Sequence, residues 1–255
     1  MPEHPNFSLA GKVIVQCGGS GLLGRALVSA ISGSGATLVV ASRTPKAIGA
    51  EGTAAVEAEP VDIESESSLH HLRDRVLARH GRVDGLVFNA VNRPMRGPGD
   101  SLAAWQASMA TNATGFFATV RAFGDAMARR GAGSIVNIAS HMGMVGMHPA
   151  LYDGPAAYPS PDYFFHKAGM INLTRYLASH YGAQGVRVNV VSPGGIYNPE
   201  RPQAPAFLTR YGPMTMLGRM AQASEIGGAV VFLLSDASTY VTGANLPVDG
   251  GYSAK

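Results

Sequence analysis

Two side chains four residues apart carry the first chemical signal in this sequence. In the run Tyr163-Phe164-Phe165-His166-Lys167 a phenol and an ammonium fall on one face if the segment is helical, because positions i and i+4 are neighbours on a helix. A phenol in water keeps its proton until about pH 10, and a nearby ammonium favours the phenolate. Lys167 is therefore expected to bias Tyr163 toward acid/base work. The phenol would give a proton to a carbonyl oxygen in one direction and take one from an alcohol in the other. A tyrosine and a lysine at this spacing are by themselves more often surface or packing residues, so the remaining sequence has to supply the context.

A second signal lies near the N-terminus. Cys17-Gly18-Gly19-Ser20-Gly21-Leu22-Leu23-Gly24 follows an apolar run and opens an amphipathic one. Gly19, Gly21 and Gly24 match G-x-G-x-x-G, and Gly18, Gly21 and Gly24 give a three-residue spacing. Between a strand and a helix such a turn binds dinucleotides: glycines let the backbone approach a pyrophosphate, whose charge meets the positive helix end. An NAD site then places an acidic residue about 20 residues on, against the ribose 2′-hydroxyl. Ser42 stands at that point here and Arg43 follows it. Arg43 can pair with a 2′-phosphate, so NADP is expected over NAD. Asp62 reads two ways, as the acceptor for an adenine amine or as the N-terminal cap of the next helix.

The elements that must hold these groups follow from periodicity. Lys12–Gln16, Thr37–Ala41, Gly85–Asn89, Ser134–Ala139 and Val186–Val191 are apolar runs of strand length. Weaker strands are expected at Ala54–Val61 and Asn245–Asp249. Helical stretches alternate with them, which predicts βαβ units and a parallel sheet covered on both faces. The expected fold is α/β: one Rossmann-type doubly wound domain over residues 1–255 with a central, mostly parallel seven-stranded sheet. The chain has 255 residues, 46% hydrophobic and 15% charged, with net charge +3 and one cysteine. That balance excludes disorder, a disulfide framework and a strongly basic nucleic-acid surface. No secretion signal is read in Met1–Lys12 and no apolar run reaches the roughly 20 residues of a membrane helix, so a cytoplasmic location is expected.

In order, the chain carries the glycine turn, Val61-Asp62-Ile63, Phe88-Asn89-Ala90-Val91, Thr111-Asn112, Ile135–Ser140, Tyr163–Lys167, Ser192-Pro193-Gly194-Gly195-Ile196 and Val241–Gly251. Together these resemble the short-chain dehydrogenase/reductase family over nearly the whole chain. The resemblance implies hydride transfer between a nicotinamide and an alcohol or carbonyl. It implies Tyr163 as acid/base, Ser140 as hydrogen-bond donor to the substrate oxygen, Lys167 on the nicotinamide ribose, and Asn112 holding a water that links the lysine to solvent. The cofactor would contact Gly18, Ser20, Gly21, Leu22, Leu23, Gly24, Ser42, Arg43, Asp62, Ile63, Asn89, Ala90, Tyr163, Lys167, Pro193, Gly194, Ile196 and Asn198. Asn198 stands where the family has threonine, Cys17 replaces a threonine, and Val91 replaces a glycine. A homotetramer, or a homodimer, is implied by the C-terminal Asn245–Tyr252.

Tyr163 lies 23 residues after Ser140, a longer separation than the family commonly shows. The connecting loop, 143–162, holds four prolines and should border the substrate. His141 and His148 with three methionines could form a soft-metal site, but methionines more often line an apolar wall, and no metal is expected. Residues 197–220 resemble a mobile substrate lid. The loop and lid are similar to those of the gluconate dehydrogenase type, which points to a sugar acid; Arg201 or Arg210 would bind its carboxylate, or simply be solvated. Two other functions compete: a dinucleotide-binding sensor without redox activity, and a sugar-nucleotide epimerase or dehydratase.

Overall fold

A computed structural model describes residues 6–45 and 56–255. Seven strands form one sheet: β1 (Val13–Cys17), β2 (Thr37–Ser42), β3 (Val56–Pro60), β4 (Gly85–Phe88), β5 (Gly133–Ile138), β6 (Val186–Pro193) and β7 (Asn245–Val248). Their order is β3-β2-β1-β4-β5-β6-β7. Every adjacent pair is parallel, so the sheet is wholly rather than mostly parallel. Ala54 and Ala55, expected at the start of the third strand, and Met1–Pro5, part of the segment read for a secretion signal, lie outside the described residues.

Both faces are covered by helices, which explains why β1, Val-Ile-Val-Gln-Cys, is buried at all five positions. Side chains alternate across a strand. Val13, Val15 and Cys17 enter one core layer with α2 (Glu66–His80), α4 (Phe116–Arg130) and α5 (Pro161–Gly182). Ile14, with Leu38, Val40 and Val136 of neighbouring strands, enters the other with α1 (Leu22–Gly33) and α7 (Gly227–Leu234). In the first layer Phe88 and Phe116 meet at 5.0 Å between ring centroids. Such fully buried rings contribute roughly 2–3 kcal/mol each.

The stretch 104–131 reads in sequence as one long helix. The structure divides it into α3 (Leu102–Met109), a wider π-type turn (Ala110–Gly115) and α4. Gly115 explains part of this: a Cβ there would stand 3.0 Å from the Ile63 carbonyl oxygen, so the turn packs directly on the loop after β3. The long connection before α5 is not featureless; it forms three short 3₁₀ turns at His141–Gly143, Pro149–Leu151 and Pro155–Ala157.

The chain reverses direction across the sheet between β1 and β4, with lower-numbered strands on one side and higher-numbered on the other. Ligands of open parallel sheets bind outside the carboxyl ends of the strands at such a switch point. Among the described residues, no helix is long and apolar enough to cross a membrane.

Candidate active site

The glycine turn leaves β1 at this switch point. Gly18 has φ +90°, a conformation that favours glycine, and a Cβ on it would lie 2.7 Å from the Ala90 nitrogen. A Cβ on Gly24 would lie 2.8 Å from the Gly18 carbonyl oxygen. Gly21 caps the start of α1 without a side-chain bond, and an added Cβ there would meet nothing within 4 Å. Two glycines thus close the turn against its own backbone and against the chain just after β4, while the third faces open space. The turn is held from within by Gln16, whose amide donates to the Gly18 and Gly24 carbonyls at 3.2 and 3.0 Å. Asn89 donates to the Gly18 carbonyl at 2.8 Å. The apolar reading of the first strand passed over Gln16; a buried amide inside a valine run was the available signal.

Cys17 is fully buried in the core, and burial pushes its thiol up to about 12, so it packs as a neutral side chain. Asp62 does not cap α2: that role falls to Ser65, which accepts from the Ser68 amide, while Asp62 accepts from the Glu64 amide at 3.0 Å in the preceding turn.

Two cavities, of about 760 and about 520 Å³, share Gly21, Asn89 and Val91 in their walls. The smaller collects Gly18, Ser20, Ser42, Arg43, Asp62, Ile63 and Ala90. The larger collects Leu22, Leu23, Gly24, Ser140, Tyr163, Lys167, Pro193, Gly194, Ile196 and Asn198. The fold therefore brings every one of the expected site residues except Asn112 onto these two walls.

Ser140 follows β5 with only Ala139 between, and its hydroxyl accepts from the Met142 amide at 3.2 Å, starting the 3₁₀ turn His141–Gly143. That turn is pressed onto α5, since a Cβ on Gly143 would lie 2.7 Å from the Lys167 carbonyl carbon. This contact sets Ser140 at a fixed place relative to Tyr163 and Lys167. Helix α5 begins at Pro161, so Tyr163 and Lys167 sit in its first two turns. The Lys167 ammonium lies 5.6 Å from the Tyr163 ring centroid and donates to the Ile138 carbonyl at 2.6 Å. Lys167 is only 4% exposed. Burial first, and the charge of Arg93 second, bring its amine down to about 7. It can thus gain or lose a proton near neutrality.

Asn112 lies behind this wall in the π-type turn. Its amide donates to the Asn92 carbonyl at 2.7 Å and to the Ser108 hydroxyl at 3.0 Å, and its oxygen accepts from the Asn92 amide at 2.9 Å. Ser108 in turn donates to the buried carboxylate of Asp162. The Asn112 side chain is thereby engaged with the loop after β4 rather than with Lys167. Next to Lys167 in the chain, His166 is buried with neither ring nitrogen bonded, and burial lowers its imidazole to about 3; its ring meets Tyr163 edge-on at 5.2 Å.

The connection 143–162 and the segment 197–220 pack on each other. Leu151, Tyr211 and Met220 form a small core with Tyr152, Tyr197 and Phe207 around it. Tyr211, in α6 (Pro205–Tyr211), accepts from the Gly195 amide at 2.6 Å. Arg210 pairs with Asp153 at 2.8 Å, and Arg201 does not line the cavity. Neither arginine proposed from sequence faces the larger cavity. The guanidinium groups that do are Arg93 and Arg96, and of these Arg93 places its Cζ 4.4 Å from the Tyr163 ring centroid. No sequence motif marks it, although it stands on the loop beyond the carboxyl end of β4, where ligands of open parallel sheets bind. Of the two histidines flanking the methionines, His141 is buried, its Nδ1 3.1 Å from the Pro193 carbonyl oxygen, and His148 is exposed.

Comparison with known proteins agrees with this geometry. A family model described as enoyl-(acyl carrier protein) reductase matches residues 20–253. D-threitol dehydrogenase of Mycolicibacterium smegmatis is 32% identical over 98% of this chain and 96% of its own. A short-chain dehydrogenase of Leptospira borgpetersenii solved with NAD⁺ superposes with TM-score 0.87 at 27% identity, covering 97% of this chain and 96% of its own. A gluconate 5-dehydrogenase of Burkholderia cenocepacia, solved with NADP and tartrate, gives 0.85 at 28% identity, covering 98% of each chain. The chain belongs to the short-chain dehydrogenase/reductase family and is an NAD(P)-dependent oxidoreductase acting on CH–OH and C=O groups.

Proposed function

We propose that this protein is an NADP(H)-dependent enzyme that interconverts a secondary alcohol and a ketone on a polyol or sugar acid. The observation that carries the reading is that Ser140, Tyr163, Lys167 and the glycine turn open onto one cavity. The turn suits a dinucleotide because it is closed by Gly18 and Gly24 and open at Gly21, where α1 offers its first backbone amides. A bound nicotinamide supplies or accepts the hydride. Tyr163 exchanges the proton with the substrate oxygen, and Ser140 donates a hydrogen bond to that oxygen and steadies its charge. Lys167, deprotonating near neutrality, holds the ribose and passes protons to Tyr163. Asn112 acts as a positioning residue by fixing the loop that carries Asn92 and Arg93. Residues 197–220 close over the substrate.

The NADP preference rests on Arg43. It lines a recess of about 480 Å³ with Asp62, Ser68, His71 and Arg75, where two guanidinium groups stand against one carboxylate, and Ser42 beside it carries no charge to repel a phosphate. The gluconate 5-dehydrogenase neighbour was solved with NADP and tartrate, and D-threitol dehydrogenase is named for a polyol; these support the substrate class. The working form is a homotetramer or homodimer in the cytoplasm; Phe117, Phe165 and Tyr176 stand exposed on α4 and α5, and subunit contact would cover them. Fluorescence titration with NADPH and NADH tests the cofactor reading. NADPH should bind more tightly, and Arg43→Ala should erase the difference; tighter NADH binding by the unaltered protein refutes it.

A further inference from the structure

The larger cavity carries three cations, Arg93, Arg96 and Lys167, and no carboxylate in its wall. Lys167 is buried and bonded to the Ile138 carbonyl. Arg93 is different. It is exposed, as is Arg96, and no carboxylate lies within ion-pair distance of either side chain among the described residues. Most other arginines of the chain are paired: Arg25 with Glu200, Arg82 and Arg130 with Asp84, Arg210 with Asp153, Arg219 with Glu225. Arg93 lies instead over the Tyr163 ring, 4.4 Å from its centroid. An exposed guanidinium over a half-buried ring is held by a modest cation–π attraction, whereas a guanidinium and a carboxylate form two parallel charge-assisted bonds. A carboxylate entering the cavity therefore takes Arg93 from the ring.

We propose that Arg93 is the anion-binding, specificity-determining residue of this enzyme, and that its substrate is a hydroxy acid whose carboxylate lies close to the reacting carbon. The proposal rests on the oxidoreductase reading above and adds that the substrate is charged, which a neutral polyol is not. The adjacency is set by the fold. Arg93 contacts the ring of Tyr163, whose hydroxyl exchanges the proton, so an anion on its guanidinium stands beside the reacting oxygen. The reaction leaves the carboxylate unchanged; it is a handle that orients the carbinol toward Tyr163 and Ser140. Leu151, Phe207 and Met220 also line this cavity and suit the carbon chain better than a second charge.

Two measurements on the unaltered protein, Arg93→Ala and Arg93→Lys decide the matter. The first is calorimetric binding of hydroxy acids, and of their primary amides, to the protein saturated with NADPH. The second is kcat/KM for the same acid and amide pairs. The unaltered protein should bind the acids more tightly than the amides. Arg93→Ala should lose roughly 10- to 100-fold for the acids, mostly in KM, and little for the amides. Arg93→Lys should fall between, because an ammonium cannot form the paired bonds. NADPH affinity should be the same in all three. Equal losses for acids and amides would overturn the proposal and make Arg93 a support for Tyr163 alone. Tight acid binding retained in Arg93→Ala, or a preference for phosphate esters over carboxylates, would also overturn it. Acid binding that depends on Arg93 but leads to no oxidation with either cofactor upholds the anion site and refutes the catalytic reading beneath it.

Discussion

Replacing Lys167 by methionine should make the protein more stable while removing its activity. The side chain is 4% exposed, and its amine is moved from 10.5 to about 7, chiefly by burial. At pH 7 an unfolded lysine holds its proton fully, whereas the folded one is about half protonated. From about 1.36 kcal/mol per pKa unit, placing it in the interior costs on the order of 4 kcal/mol at pH 7 and about 2 kcal/mol at pH 9. The sign follows from proton counts. The folded value is depressed, so the unfolded chain binds more protons between about pH 7 and 10.5, and wild-type stability rises with pH across that window. Methionine has similar length and no charge. It forfeits the bond to the Ile138 carbonyl, worth about 1–2 kcal/mol when the carbonyl is left unpaired. Lys167→Met should therefore gain about 2–3 kcal/mol at pH 7 and little at pH 9. Urea unfolding without cofactor, at one fixed protein concentration, measures this from midpoints at equal slope. A variant less stable than wild type at pH 7, or a difference independent of pH, would refute the reasoning.

Other outcomes follow from the same geometry. Tyr163→Phe keeps the ring that contacts Arg93, His166 and Lys167 and removes only the hydroxyl. Its kcat should fall by roughly 10²–10⁴ with the unfolding midpoint and NADPH affinity unchanged, and retained turnover would exclude it as the acid/base. Gly18→Ala should abolish cofactor binding, because φ +90° disfavours a side chain and its Cβ would stand 2.7 Å from the Ala90 nitrogen. Normal NADPH titration of that variant would show that the turn is not the dinucleotide site.

Much of the architecture was legible because it depends on local patterns. The apolar runs at Thr37–Ala41 and Val186–Val191 became β2 and β6, with ends shifted by one or two residues. Valine and isoleucine at consecutive positions mean burial on both faces, and that requires a covered parallel sheet. The i,i+4 placement of Tyr163 and Lys167 and the glycine spacing were legible for the same reason. The π-type turn at Ala110–Gly115 was not, because the helical pattern runs through it and only its contact with Ile63 marks it. Asp62 could be an adenine acceptor or a cap on sequence grounds, and Ser65 took the cap.

By itself, then, the sequence determined the fold class, the order of elements, and the turn and helix start around which the site is built, since φ preferences and periodicity act over a few residues. The tertiary structure decided which side chains face each other. It paired Arg210 with Asp153, which are 57 residues apart, and so took Arg210 off the cavity wall. It laid Arg93 over Tyr163 and engaged Asn112 with Asn92. It also buried Lys167 deeply enough to bring its amine to about 7. Such distances and burials arise only when segments far apart in the chain are packed together, and no local pattern encodes them.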